Sequence, residues 1–148
     1  KSLDFESRAD LEGVKESAEQ VEQLIKAQIE SGIKAERIVL AGFSQGGVIA
    51  LHLAPRFSQK LAGVMALSTY MCEPALLSSE ALDVNRETPI MMAHGEQDEV
   101  VPVFMGNAAF KTLNECGFKA TWQTYTMQHN VCMQELNDIS AWLQKLLN

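Results

Sequence analysis

Three residues in this sequence have the types and the order that activate a serine. Gly42-Phe43-Ser44-Gln45-Gly46 fits G-x-S-x-G, a pattern that sets a serine on a sharp strand-to-helix turn with its hydroxyl above the sheet. The pattern alone is weak, since glycine and serine are common. Its strength comes from the apolar run before it and the helical run behind it. Side chains at Gly42 or Gly46 are expected to crowd that turn. A helix opening at Gln45 aims its free N–H groups and positive end at the serine, which makes Gln45 the candidate oxyanion donor.

A serine hydroxyl is a poor nucleophile until a base takes its proton. The histidines are His52, His94 and His129. On a strand–turn–helix scaffold the chain order is nucleophile, acid, histidine. His52 lies about two turns into the helix behind the serine and faces away from it. His94 ends a strand just before Gly95 and precedes the acids of that region, so a structural role fits it better. His129 follows the last strand and is the expected base. The acid that orients it is sought in Gly95-Glu96-Gln97-Asp98-Glu99. Asp98 is the first choice, with Glu96 and Glu99 as alternatives in the same loop. Ser44, Asp98 and His129 all lie just past strand ends, the edge where open α/β sheets bind ligands. No His and Cys cluster has zinc spacing and no glycine-rich loop ends in Lys-Ser or Lys-Thr, so neither metal nor cofactor is expected.

The elements that must position these residues alternate. Leu11, Val14, Ala18, Val21, Ile25 and Ile29 step by three or four, which predicts a helix over about Ala9–Ser31, stopped by Gly32. Arg37–Phe43, Leu61–Ser68, Pro89–His94 and Ala120–Tyr125 read as strands, the first three continuous apolar runs of the kind covered on both faces. Helices are predicted over Gln45–Leu53, from Pro102 to the Gly117 stop, and over Met133–Leu147, with Leu136, Ile139, Leu143 and Leu146 inward. This alternation implies an α/β class with a mostly parallel sheet and helices on both faces. The interval from Thr69 to Thr88 breaks the rhythm. It reads either as a short helix on the body or as an apolar wall beside a ligand, with Tyr70, Met71, Leu76 and Leu77 as candidate substrate contacts.

With 148 residues the chain has the length of one domain, 1–148. Its 47% hydrophobic and 21% charged residues argue against a disordered or coiled-coil chain. The net charge of −7 leaves no surplus of Lys and Arg for phosphates, so neither nucleic acid nor anionic lipid is the expected main partner. No apolar run approaches the roughly 20 residues of a membrane span. The opening residues, polar and mixed in charge, lack a signal-peptide pattern. Three cysteines, Cys72, Cys116 and Cys132, without ligand-like spacing suggest reduced thiols and a cytoplasmic location.

GFSQGG at 42–47, LAGVMALSTY at 61–70, HGEQDEVVP at 94–102 and a last histidine before a closing helix together resemble the phospholipase/carboxylesterase family, which includes bacterial carboxylesterases, acyl-protein thioesterases and lysophospholipases. The resemblance runs over essentially the whole chain. It implies an α/β-hydrolase fold with Ser44 as nucleophile, Asp98 as acid and His129 as base. It also implies action on short-chain esters, lysophospholipids or acylated proteins, without a cofactor; a homodimer rests on the resemblance alone. Two departures stand out. Gln128 occupies the place next to the base where the family usually has glycine, and an amide there either narrows the pocket or points to solvent. The family also carries early strands and a loop that supplies a second oxyanion donor, which the residues from Lys1 onward do not contain; an amino-terminal part is therefore expected to be missing from this sequence.

The leading expectation is thus a serine ester or thioester hydrolase working through an acyl-enzyme. The alternatives are a non-catalytic hydrolase-fold module that binds an acyl chain or protein partner, and a serine peptidase on the same fold.

Overall fold

The computed structural model describes the backbone of residues 2–148 and the side chains from residue 10 onward. Helix α1 spans Ser2–Glu30 and starts earlier than the predicted Ala9, in a stretch whose side chains lie outside the described residues. Its stripe is the expected one, with Val14, Ala18 and Ile25 buried. Gly32, at φ 113°, ends it, and the Ile33 N–H reaches back to the Gln28 carbonyl at 3.1 Å, which satisfies an orphan acceptor of the last turn.

Then follow β1 (Val39–Phe43), α2 (Gln45–Leu53), β2 (Gly63–Leu67), α3 (Leu77–Glu80), β3 (Pro89–Gly95), α4 (Val103–Glu115), β4 (Lys119–Tyr125) and α5 (Met133–Leu147). The strands form one parallel sheet in the order β1-β2-β3-β4. Phe43 pairs with Leu67, Leu67 with Ala93, and Gly95 with Tyr125, so the strands end nearly level. The ladder continues one residue beyond three of them. Ser44 N–H donates to Leu67 O at 2.9 Å, Ser68 N–H to Ala93 O at 2.8 Å and Glu96 N–H to Tyr125 O at 2.8 Å. All chain segments that could carry chemistry therefore leave the sheet at one edge, in fixed register.

Both faces of the central strands β2 and β3 are covered, which explains why they read as unbroken apolar runs rather than alternating ones; β1, expected to be covered likewise, lies at the sheet's edge and leaves Ala41 and Phe43 exposed. Leu40, Val64, Ala66, Ile90 and Met92 pack with Ala50 and Leu51 of α2, Leu113 of α4 and Ile25 of α1. The opposite face places Met65, Leu67, Ala93 and Tyr125 against Ile139, Trp142 and Leu143 of α5. One expectation for α5 is corrected. Leu136 is 48% exposed, and its neighbour Glu135 is the buried residue of the first turn, with no hydrogen-bond partner for either carboxyl oxygen. Burial, then the nearby Asp138, pushes the Glu135 carboxyl above its ordinary range. A helical stripe read by hydrophobicity alone assigns such a position to solvent.

The 69–88 interval carries a 3₁₀ turn at Pro74–Leu76 that runs into α3. Leu77 is only 1% exposed and belongs to the central core, so it cannot line a ligand wall as the sequence suggested. Among the described residues no helix is long and apolar enough to cross a membrane.

Candidate active site

The turn after β1 is set by glycine geometry. Ser44 has φ 57° and ψ −119°, a backbone state that side chains rarely adopt and that surrounding structure must hold in place. A Cβ on Gly42 would fall inside the Gly46 backbone, so the strand passes directly beneath the first turn of α2. Gly46 itself has open space where a Cβ would go, contrary to the crowding expected there. The crowded neighbour is Gly47, where a Cβ would lie 2.6 Å from the Thr69 Cβ. The Thr69 hydroxyl in turn donates to the Ser44 carbonyl at 2.7 Å, and the Gly47 and Val48 N–H groups donate to the same oxygen at 2.9 and 3.2 Å. Thr69 is thus a lock on the elbow, and nothing in its sequence neighbourhood announced it. As the first residue of α2, Gln45 keeps its N–H free of any intrahelical acceptor.

The acid loop folds on its own backbone. One carboxyl oxygen of Asp98, Oδ1, accepts the N–H groups of Val100 (2.9 Å) and Val101 (2.8 Å), which leaves Oδ2 for a partner from elsewhere. That partner is His129 Nδ1 at 2.7 Å. His129 Nε2 lies 3.0 Å from Ser44 Oγ. A carboxylate only accepts, so Nδ1 carries the proton, Nε2 keeps its lone pair, and the serine hydroxyl donates to it. Burial alone would raise the Asp98 carboxyl; the hydrogen bond from His129, with those from Val101 and Val100, outweighs it and holds the group below the ordinary carboxylate range. The alternatives to Asp98 are excluded by placement: Glu96 accepts the Thr124 hydroxyl at 3.0 Å, and Glu99 is exposed.

The two loops are pinned to each other. Gln97 N–H donates to Met127 O at 3.0 Å, and a Cβ on Gly95 would collide with the carbonyls of Met127 and Gln128. Gly95 is therefore what lets the base loop approach the acid loop closely. Gln128 is exposed. Phe43 flanks the imidazole, with ring centroids 4.9 Å apart and 39% of the residue exposed. Its place immediately before the serine was the only signal the sequence held.

The remaining histidines separate as their positions suggested. His94 is buried at the end of β3, its Nε2 2.8 Å from Val101 O. His52 is buried on the far part of α2 beside Lys15 and Arg56, and burial, then Arg56, lowers it to about 4, which keeps it neutral. Of the four candidate substrate contacts, Tyr70 and Met71 line an apolar groove of about 190 Å³ with Pro74, Phe104, Met105 and Ala108. Leu76 and Leu77 do not. Among the described residues no group of three or more His, Cys, Asp or Glu is arranged to hold a metal ion.

Residues 1–147 match the sequence pattern of the phospholipase/carboxylesterase family. An acyl-protein thioesterase 1 of Gibberella zeae is 39% identical over 141 residues, which cover 93% of this chain and 60% of that protein. Acyl-protein thioesterase 1 of Saccharomyces cerevisiae is 32% identical over 145 residues, 96% of this chain and 64% of its own length. Among solved structures, Arabidopsis thaliana SOBER1 superposes with a TM-score of 0.86 at 28% identity, over 91% of this chain and 65% of that one. Esterase PE8 superposes at 0.87 with 25% identity, over 95% and 65%. The chain thus spans somewhat under two thirds of the length of these proteins, and within that span its fold is that of an α/β-hydrolase.

Proposed function

The chain belongs to the phospholipase/carboxylesterase family, and from that premise we propose that it is a serine hydrolase of carboxylic esters or thioesters, with Ser44, His129 and Asp98 as its catalytic triad. The observation that carries this reading is the continuous relay from Asp98 Oδ2 through the imidazole to Ser44 Oγ, with contacts of 2.7 and 3.0 Å. In the reaction Ser44 Oγ attacks the acyl carbonyl while His129 Nε2 takes its proton. Asp98 stabilises the imidazolium that forms and fixes its tautomer. The carbonyl oxygen, now an anion, is met by the Gln45 N–H and the positive end of α2. His129 returns the proton to the departing alcohol or thiol. Water then attacks the acyl carbon while His129 takes its proton, and as the bond to Ser44 Oγ breaks His129 returns that proton to the serine, releasing the acid.

The substrate classes are short-chain esters, lysophospholipids and acyl groups in thioester linkage to protein, and the apolar groove beside Tyr70 and Met71 is the proposed seat of the acyl chain. The relatives named acyl-protein thioesterase 1 support the thioester half of this reading. A purely binding module has no use for a strained serine hydrogen-bonded to a carboxylate-oriented imidazole. The test is turnover of a matched pair, an aryl ester and an acyl thioester of equal chain length, by the protein and by Ser44→Ala. Hydrolysis of either substrate by the parent and neither by the variant is expected. Equal turnover by both proteins would refute the reading.

A further inference from the structure

The geometry points to His94 as a positioning residue for the acid of the triad, acting through the Val101 carbonyl to fix the direction of the Asp98 carboxylate. This rests on the triad reading above. Carbonyl oxygens only accept, so the 2.8 Å contact requires a proton on His94 Nε2, donated to Val101 O. Val101 is thereby held at two points: its N–H donates to Asp98 Oδ1 at 2.8 Å and its carbonyl is fixed by His94. The same Nε2 lies 3.5 Å from Asp98 Oδ2, the oxygen that receives His129. His94 thus fixes a donor to one carboxyl oxygen and stands beside the other.

Packing alone does not explain an imidazole here. His94 is 1% exposed, sits 5.8 Å from the Trp122 ring, and leaves Nδ1 without a partner. Leucine or phenylalanine would suit such surroundings without the unfavourable burial of an unsatisfied polar atom. The ring is held in place by Gly106 of α4, where a Cβ would collide with Nδ1 and lie 3.0 Å from Trp122. Gly106 is the space that seats the imidazole at the depth where Nε2 meets Val101.

Two readouts test this. One is the low-field proton resonance of the His129–Asp98 hydrogen bond, identified by its loss in His129→Gln. The other is the pH dependence of Ser44 labelling by a fluorophosphonate. Three variants are compared: His94→Leu removes the donor, His94→Gln offers an amide N–H at similar reach, and Gly106→Ala displaces the ring while leaving His94 intact. In His94→Leu the resonance is expected to vanish and labelling to slow by about 10- to 100-fold, the scale of a roughly 1 Å misplacement. His94→Gln should recover most of both, and Gly106→Ala should move both in the direction of His94→Leu. Should His94→Leu fail to fold, His94→Gln and Gly106→Ala carry the test, each shown by its thermal unfolding to be folded before either readout is taken. An unchanged resonance and parental labelling in Gly106→Ala, or equal damage in His94→Leu and His94→Gln with Gly106→Ala unaffected, would overturn the assignment. A parent that shows the resonance but never labels would instead refute the hydrolase reading, and the resonance would still decide the role of His94.

Discussion

The two sides of Ser44 are built differently. Toward β3 and β4, each polar atom of the relay has a partner, the acid and base loops are tied by backbone hydrogen bonds, and Gly95 brings them together. Toward β1, the strand is the edge of the sheet, Ala41 and Phe43 are exposed, and the proposed oxyanion donor is a single backbone N–H. The other edge strand, β4, exposes Lys119, Thr121 and Gln123, and the Lys119 charge discourages further pairing. β1 has no such protection, being VLAGF throughout. The contacts among Ser44, His129 and Asp98 are thus tightly tied by backbone and side-chain hydrogen bonds, while the proposed oxyanion donor is the Gln45 N–H at the start of α2.

The largest effect expected from this asymmetry is on the relay. In Asp98→Asn, the carbonyl oxygen can keep the Val100 and Val101 N–H groups, which turns the amide NH₂ toward His129 and forces the wrong tautomer. A fall in kcat of about 10⁴ is expected with little loss of stability, read by aryl-ester kinetics alongside thermal unfolding. A loss of stability comparable to the loss of rate would mean that Asp98 mainly holds its loop together.

The elbow comes next, and it separates two glycines that look equivalent. Gly42→Ala should destabilise the protein by about 3 kcal/mol or more, because its Cβ has no place beside Gly46. Gly46→Ala should fold and melt much like the parent, since that space is open. Similar melting temperatures for the two variants would contradict the geometry of the turn.

A smaller effect falls on Thr69. Thr69→Val keeps the packing on Gly47 but removes the hydroxyl that holds the Ser44 carbonyl, for an expected loss of about 1 kcal/mol in stability and about tenfold in labelling of Ser44. Thr69→Ser should restore both if the hydroxyl, and not the methyl group, is what matters.

The smallest effect on activity tests whether the far part of α2 stays apart from the chemistry. His52 titrates near 4 in the folded protein against 6.5 when unfolded. Between those values the unfolded chain binds more protons, so stability falls as pH drops from 6.5 toward 4. His52→Gln should remove about 2 kcal/mol of this loss by pH 5, measured by denaturant unfolding at several pH values. Its kcat at pH 7.5 should match the parent; a clear drop would connect the rear of the helix to the site.

Much of this was legible in the sequence, and what was not has a common cause. That Ser44, Asp98 and His129 meet could be expected because their logic is serial: a serine elbow, an acidic loop after one strand and a histidine after another, and the structure brings the three side chains within hydrogen-bond reach. The α2 boundaries at Gln45 and Leu53 were equally clear, since a glycine-rich turn opens that helix and Pro55 follows its end. Thr69, Gly47, Gly95 and Phe43 act through contacts between segments far apart in the chain, which no local pattern encodes. Leu77 and Leu136 were misassigned for a related reason. In a short helix or a first turn, tertiary packing rather than periodicity decides which face is buried, so Leu77 went into the core and Glu135 took the place expected for its apolar neighbour.

A relay of Ser44, His129 and Asp98 that is assembled in this chain must acylate, and intact-mass analysis after incubation with a fluorophosphonate decides it, run on the parent, Ser44→Ala and His129→Ala. A single adduct on the parent, mapped to Ser44, with none on either variant is the predicted result. An adduct on Ser44→Ala, or none on a folded parent, would contradict it.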